Sequence, residues 1–288
     1  MTNDAADLRV LNAIAPGGSR LPRWARTTIL VVGMAVAMLG ANAIASSLQN
    51  PVAALIIGPL LALGIALLYV WTGRRFEQRR VTEFARGAGR RHVLVGAGIG
   101  TGLAALSLGI LALFGAYRIT GWGSIASALT VVGIMCAVAV AEEVFFRGVV
   151  FRLLDGRWGT VIALGASSLL FGLVHLLNPG ATLWGAIAIA VEAGLLLGAA
   201  YVVTGTLWLA IGIHFGWNLA IVGIFGTAVS GTESQGSLVT AVTAGPDWLT
   251  GGGFGPEASV VSVLVCTAAT AAMLLVARRR GRLHLRRR

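Results

Sequence analysis

Residues 127–152 read SALTVVGIMCAVAVAEEVFFRGVVFR, an apolar run that carries Glu142, Glu143 and Arg147 in its second half. A bilayer core about 30 Å thick takes roughly 20 apolar residues per helix, and this run shows none of the period-two alternation of a barrel strand. It therefore reads as a membrane helix whose charges need partners. The rest of the chain agrees. Of its 288 residues, 57% are hydrophobic and 11% charged, and the mean hydropathy is +0.85. A soluble domain carries about 25% charged residues, so a water-soluble globule lacks the charge to clothe it. Disorder needs low hydrophobicity and high charge. Seven further apolar runs lie near 27–48, 52–72, 93–117, 161–177, 181–203, 206–228 and 259–277. The expected fold is all-α: a polytopic bundle of about eight transmembrane helices, without strands.

All 22 basic residues are arginine, giving a net charge of +11. Arg9, Arg20, Arg23 and Arg26 precede the first run, and seven arginines from Arg74 to Arg91 fill the 73–92 loop. Arg152 and Arg157 follow the fourth run, and seven more lie between Arg278 and Arg288. Placing both termini in the cytoplasm puts 20 of the 22 inside, with Arg118 outside and Arg147 in a span. That asymmetry is the positive-inside pattern, and it assigns the basic runs to topology and lipid headgroups rather than to nucleic acid. Opposite lies the long 229–258 segment with Glu233, Asp247 and Glu257. The chain divides into a cytoplasmic segment 1–26, one transmembrane domain 27–277 and a basic tail 278–288. The first run ends near Ala41-Asn42-Ala43, which resembles a signal-peptide cleavage site. Its long polar lead favours a retained anchor. Cys136 and Cys266 sit in apolar runs and support neither a disulfide framework nor a Cys-based metal site.

Ionisable groups within spans are costly and mark function by default. They are Glu142, Glu143, Arg147, His175, Glu192 and His214, with Asn218 as an uncharged companion. Glu143 and Arg147 share one helix face and can pair, while Glu142 points about 100° away, freer to meet a cavity. Phe171 and His175 are four residues apart, as are His214 and Asn218. Gly212 and Gly216 bracket His214, and small residues at that spacing admit a close helix neighbour, one that could bring Glu142 or His175 to it. Gly96, Gly98, Gly100 and Gly102 likewise read as helix-contact positions. At 1.5 Å per residue, Glu142, His175 and His214 lie about 15, 21 and 12 Å deep, compatible with one shared site. A carboxylate, two imidazoles and an amide suit hydrolysis: Glu142 accepts a proton from water, helped by His175, while His214 and Asn218 stabilise an oxyanion. Glu142, His175 and His214 could instead hold zinc. Each group also has a structural reading. The Glu143–Arg147 pair fixes helix packing, a lone His packs in a bundle, and Glu192 is structural or cavity-lining. Trp158, Trp208 and Trp217 belong to the interface belt or to packing.

Together the three clusters resemble the CPBP intramembrane proteases, also called the CAAX protease and bacteriocin-processing or Abi family. That family's pattern is EExxxR, FxxxH and HxxxN or HxxxD on successive membrane helices, here Glu142-Glu143-xxx-Arg147, Phe171-xxx-His175 and His214-xxx-Asn218. Phe146-Arg147-Gly148, the His175 to Pro179 stretch and the Thr204 to Trp208 stretch are also family-like. The resemblance covers roughly 125–228. It implies that Glu142 activates water with help from His175, that His214 and Asn218 form the oxyanion site, and that Glu143 and Arg147 hold the motif in shape. Both glutamate and metalloprotease mechanisms are described for the family; the glutamate mechanism is the one adopted. The expectation is an endopeptidase of a bacterial inner membrane, acting on a membrane-associated protein or peptide that is lipidated or not. Its alternative is a non-catalytic immunity or accessory protein of the same fold. A proton-coupled carrier would predict inverted repeats, and none is visible in the sequence.

Overall fold

A computed structural model describes residues 22–234 and 236–283. Arg9, Arg20 and the arginines from Arg286 to Arg288 lie outside the described residues. The elements run α1 (Arg23–Ser46), α2 (Pro51–Arg75), α3 (Gly89–Leu113), β1 (Tyr117–Trp122) and α4 (Ile125–Glu143). From α4 the chain continues through a π-helical stretch, Val144–Phe151, into α5 (Arg152–Trp158), then α6 (Thr160–Val174). Next come α7 (Leu183–Ile189), a π turn at Ala190–Gly194, α8 (Leu195–Thr204), and α9 (Trp208–Asn218) with a π stretch Leu219–Ile224. β2 (Val239–Thr243), the short α10 (Asp247–Thr250) and α11 (Val260–Arg279) complete it.

Seven helices among the described residues are long and apolar enough to cross a membrane, and Trp208–Ile224 is a shorter apolar eighth. The chain is an integral, multi-pass membrane protein. Leu60, Leu63, Leu67 and Leu264 are exposed on the bundle's outside, where hydrocarbon rather than water meets them. The expectation of no strands is corrected at one place. Tyr117–Trp122 and Val239–Thr243 pair antiparallel with an irregularity between Ile119 and Gly121. The third apolar run thus ends as helix at Leu113, and its last residue, Tyr117, opens a strand.

The two ends of the bundle are chemically different. Helices that start on the arginine-poor face have side-chain caps: Asn50 accepts from Ala53 N–H, Ser124 from Ser127, Thr182 from Gly185 and Ser259 from Val261. Each cap satisfies an orphan donor and is worth about 1 kcal/mol. On the arginine-rich face, α2 and α11 end with Arg74, Arg75, Arg278 and Arg279 in their last turns, where the helix dipole favours cations. One part of the arginine reading is corrected. Arg79 pairs with Glu77 and Glu83 at 2.9 Å, and Arg152 with Glu77 at 2.6 Å. These two arginines tie the 76–88 loop to the end of the fourth span, with Arg79 also donating to Tyr69 Oη at 2.8 Å.

Helix α9 is seated by glycines. A Cβ on Gly212 would collide with the Val93 carbonyl, and one on Gly216 with that of Ala97. Reciprocally, Gly96 and Gly100 of α3 meet the Leu209 and Ile213 carbonyls. Gly98 and Gly102 face open space, which corrects their reading as contact positions. Close approach at His214 therefore comes from α3, which carries none of the expected site residues; the acidic pair arrives from α4 on the other side.

Candidate active site

Glu142 and Glu143 occupy the last turn of α4, and the helix widens into π geometry directly after them. A second π turn holds Glu192, and a third begins right after Asn218. Such bulges recur at functional sites because they re-aim side chains and free backbone carbonyls. Arg147 exploits one of them. Its Nη1 donates to Glu143 Oε1 at 2.8 Å, and its Nη2 donates to the Gly194 carbonyl at 3.0 Å. Its guanidinium also lies 4.8 Å from the Phe171 ring centre, a cation–π distance. With Glu143 at 0% and Arg147 at 1% exposure, the pair is a buried clamp between the fourth and sixth spans.

Glu143 has a second partner. His214 Nδ1 lies 3.0 Å from the same Oε1, and a carboxylate can only accept, so Nδ1 carries a proton. That fixes the ring with Nε2 turned towards Glu142, whose Oε2 is 3.9 Å away. Glu142 is itself steadied by Asn42 of α1, which donates from Nδ2 to Oε1 at 2.8 Å. His175 sits in the 3₁₀ turn that ends the fifth span, and its Nδ1 donates to the Phe171 carbonyl at 2.7 Å. Its Nε2 is left with the lone pair. Phe171 contacts both imidazoles, tilted against His175 at 4.7 Å and edge-on to His214 at 6.3 Å between ring centres.

Glu142, His175, His214 and Asn218 all line one cavity of about 340 Å³. Among the described residues, Glu142, Glu143, Arg147 and His214 form one connected cluster. His175 and Asn218 reach the same cavity from its walls without bonding to that cluster. No group of three or more His, Cys, Asp or Glu among the described residues is arranged to hold a metal ion. Of the three residues Glu142, His175 and His214, the structure brings Glu142 and His214 within 3.9 Å of each other, while His175 reaches the cavity wall with its Nδ1 tied to the Phe171 carbonyl.

Several lining groups were not read from the sequence as site residues. Asn42 was legible only as a polar side chain inside the first apolar run, and it looked like part of a cleavage site. Glu257, read as an acid of an outer polar loop, is 2% exposed. It accepts from Trp217 Nε1 at 2.9 Å and from the Ser230 backbone N–H and hydroxyl at 2.6 and 2.7 Å. Trp217 is thus a donor as well as a packing residue, and the 229–258 segment folds back over the cavity. Glu192 lines the cavity too.

Residues 122–220 match the family model described as Rce1-like: Type II CAAX prenyl endopeptidase Rce1-like. The matched stretch contains all three motifs, so the likeness to the CAAX proteases is carried by the segment that builds most of the cavity. It leaves out α1, which supplies Asn42, and the segment that supplies Glu257. No curated protein and no solved structure matches the chain.

Proposed function

We infer that this chain is an intramembrane endopeptidase that hydrolyses a peptide bond of a membrane-associated protein or peptide. The observation that carries the reading is Glu142. It is a carboxylate in a membrane cavity, held by Asn42 at one oxygen and facing His214 with the other, while its neighbour Glu143 absorbs the arginine. The match to a CAAX protease model supports the reaction class.

In this mechanism Glu142 takes a proton from water as the water oxygen attacks the scissile carbonyl carbon. The carbonyl π electrons move to oxygen, and the oxyanion is met by the Asn218 amide and by His214. In its doubly protonated form His214 donates from Nδ1 to Glu143 and from Nε2 into the cavity. Donors set in place before charge develops are the larger part of such catalysis. Collapse of the tetrahedral intermediate breaks the C–N bond, and the proton held on Glu142 goes to the departing amine. His175, with its Nε2 lone pair, orients the attacking water. Glu143 and Arg147 keep His214 turned correctly and act as positioning residues. The membrane is read as a bacterial inner membrane with the arginine-rich face in the cytoplasm.

Purified protein in liposomes, offered mixed membrane-anchored and prenylated peptides, tests the reading by mass spectrometry of new termini. Cleavage is expected from the wild type, from neither Glu142→Gln nor His214→Ala, and undiminished by a chelator. Cleavage that persists in Glu142→Gln would remove the assigned base, and chelator sensitivity would remove the metal-free mechanism. The prenylated and unprenylated arms decide whether the lipid named in the family description is required.

A further inference from the structure

The hydrolytic chemistry leaves one carboxylate of the cavity unused. Glu192 sits in the π turn of the sixth span, is 1% exposed and lines the cavity. Its Oε1 has only the Cys266 thiol at 3.5 Å, a weak donor. Its Oε2 has no hydrogen-bond partner among the described residues. The other buried acids here have stronger partners: Glu143 has Arg147 and His214 on Oε1, although its Oε2 also lacks a hydrogen bond among the described residues, and Glu257 has Trp217 and Ser230. A buried carboxylate without a cation or donor is costly, and within a membrane such a group marks a functional site whose partner must be found.

The cavity supplies no such partner. No arginine lines it, although the chain carries 22 and has a net charge of +11. Apart from His175 and His214, its titratable lining is acidic. Glu233 is exposed at the rim beside Thr232, Glu257 is buried against Ser230, and Glu142 and Glu192 are buried. The rim lies on the arginine-poor face. Around Glu192 the walls are apolar, formed by Ile189, Leu196 and Leu197, which suits an aliphatic stem carrying a charged head.

We propose that Glu192 anchors a subsite for a lysine or arginine side chain of the substrate peptide, which enters from the arginine-poor face past Glu233. The ammonium or guanidinium supplies the donor that Glu192 Oε2 lacks, and its stem covers the leucine wall. Peptides entering without that cation leave the carboxylate unsatisfied, so the subsite selects as well as binds. This specificity rests on the endopeptidase reading.

The test uses the full-length protein in nanodiscs and membrane-anchored fluorescent peptides that differ at one position: Lys, Arg, norleucine or Glu. Binding is read by anisotropy and cleavage by mass spectrometry. The Lys and Arg peptides are expected to bind about 10-fold tighter than the norleucine peptide, which corresponds to about 1.4 kcal/mol, with the Glu peptide weakest. Glu192→Gln is expected to erase that ratio while the norleucine peptide binds within about twofold of its wild-type affinity. Equal binding of Lys and norleucine peptides by the wild type overturns the proposal without any variant. A ratio that survives in Glu192→Gln also overturns it, as does a failure of the Lys and Arg peptides to bind. The two readings fail separately. Cleavage without cation preference removes the subsite and keeps the protease. Cation preference with no cleavage of any peptide keeps the subsite and removes the protease.

Discussion

Two glutamate–arginine networks sit at different depths of this bundle, and they are built on different arithmetic. At the arginine-rich face, Glu77 and Glu83 meet Arg79 and Arg152, two acids with two bases, each pair within 4 Å. The side chains of the two arginines keep about a fifth of their surface exposed. In the bundle's interior two acids stand beside the single Arg147, which pairs with Glu143, while His214 faces both Glu142 and Glu143. A balanced, half-wet network is a fastener. An unbalanced, buried one leaves a carboxylate with spare capacity for a proton, and the spare one is Glu142, on the cavity wall.

The comparison is broken most severely at Arg147. Arg147→Met leaves Glu143 buried with His214 but without its arginine, a loss of about 3–5 kcal/mol by precedent for broken buried pairs. Both stability in detergent and activity are expected to fall. Adding Glu143→Met should restore most of the stability, since a buried pair exchanged for apolar residues of similar volume is often neutral. Activity should stay low, because His214 has lost the acceptor that turns it. Thermal unfolding of both variants distinguishes the outcomes; a single variant as stable as wild type would show that the pair is not a clamp.

The next largest effect separates chemistry from folding. Glu142→Gln keeps the size of the side chain and an oxygen for Asn42 to donate to, so unfolding should shift little. Hydrolysis should fall about 10²–10⁴-fold, the usual worth of a positioned general base. Stability lost in parallel with rate would place Glu142 with the fasteners.

Much of this interior was legible in the sequence because membrane spans forgive so few charges. Glu143 and Arg147 announce their pairing by spacing, and the spacing survives the π stretch that follows Glu143. Gly212 and Gly216 announce a close neighbour, but spacing does not say which helix comes, and α3 arrives rather than α4. Residue types likewise do not reveal that the Nδ1 of His175 is tied back to the Phe171 carbonyl. Glu257 was unreadable for another reason. Its neighbours in sequence, Gly255 and Pro256, look like a loop, and only the fold-back of that loop buries the acid against Trp217. The small sheet was missed because Tyr117–Trp122 is short, follows directly on an apolar run, and pairs with a strand more than 100 residues further along the chain.

Asn42 sharpens the comparison further, since it lies outside the stretch that matches the protease model and still holds Glu142. Hydrogen bonds to charged groups are worth about 1.5–3 kcal/mol, but water can replace the amide in an open cavity. Asn42→Ala is therefore expected to cost about 10-fold in kcat with KM little changed, and Asn42→Asp more, by setting a second carboxylate against Glu142. An unchanged rate in both variants would reduce the contact to packing.

The smallest effect belongs to the fastener at the arginine-rich face. In Arg79→Ala, Arg152 still reaches both glutamates, at 2.6 Å to Glu77 and 3.7 Å to Glu83. Water also has access to the rest, so the loss should be about 1 kcal/mol, near the upper end for pairs that are not fully buried. It should shrink in high salt, which screens such pairs and leaves buried ones largely untouched. Because the cavity mouth lies at the opposite face, cleavage should remain within about twofold of wild type. A rate collapse in Arg79→Ala with normal unfolding would mean that the arginine-rich face handles substrate, and the division between a balanced fastener and an unbalanced site would no longer hold.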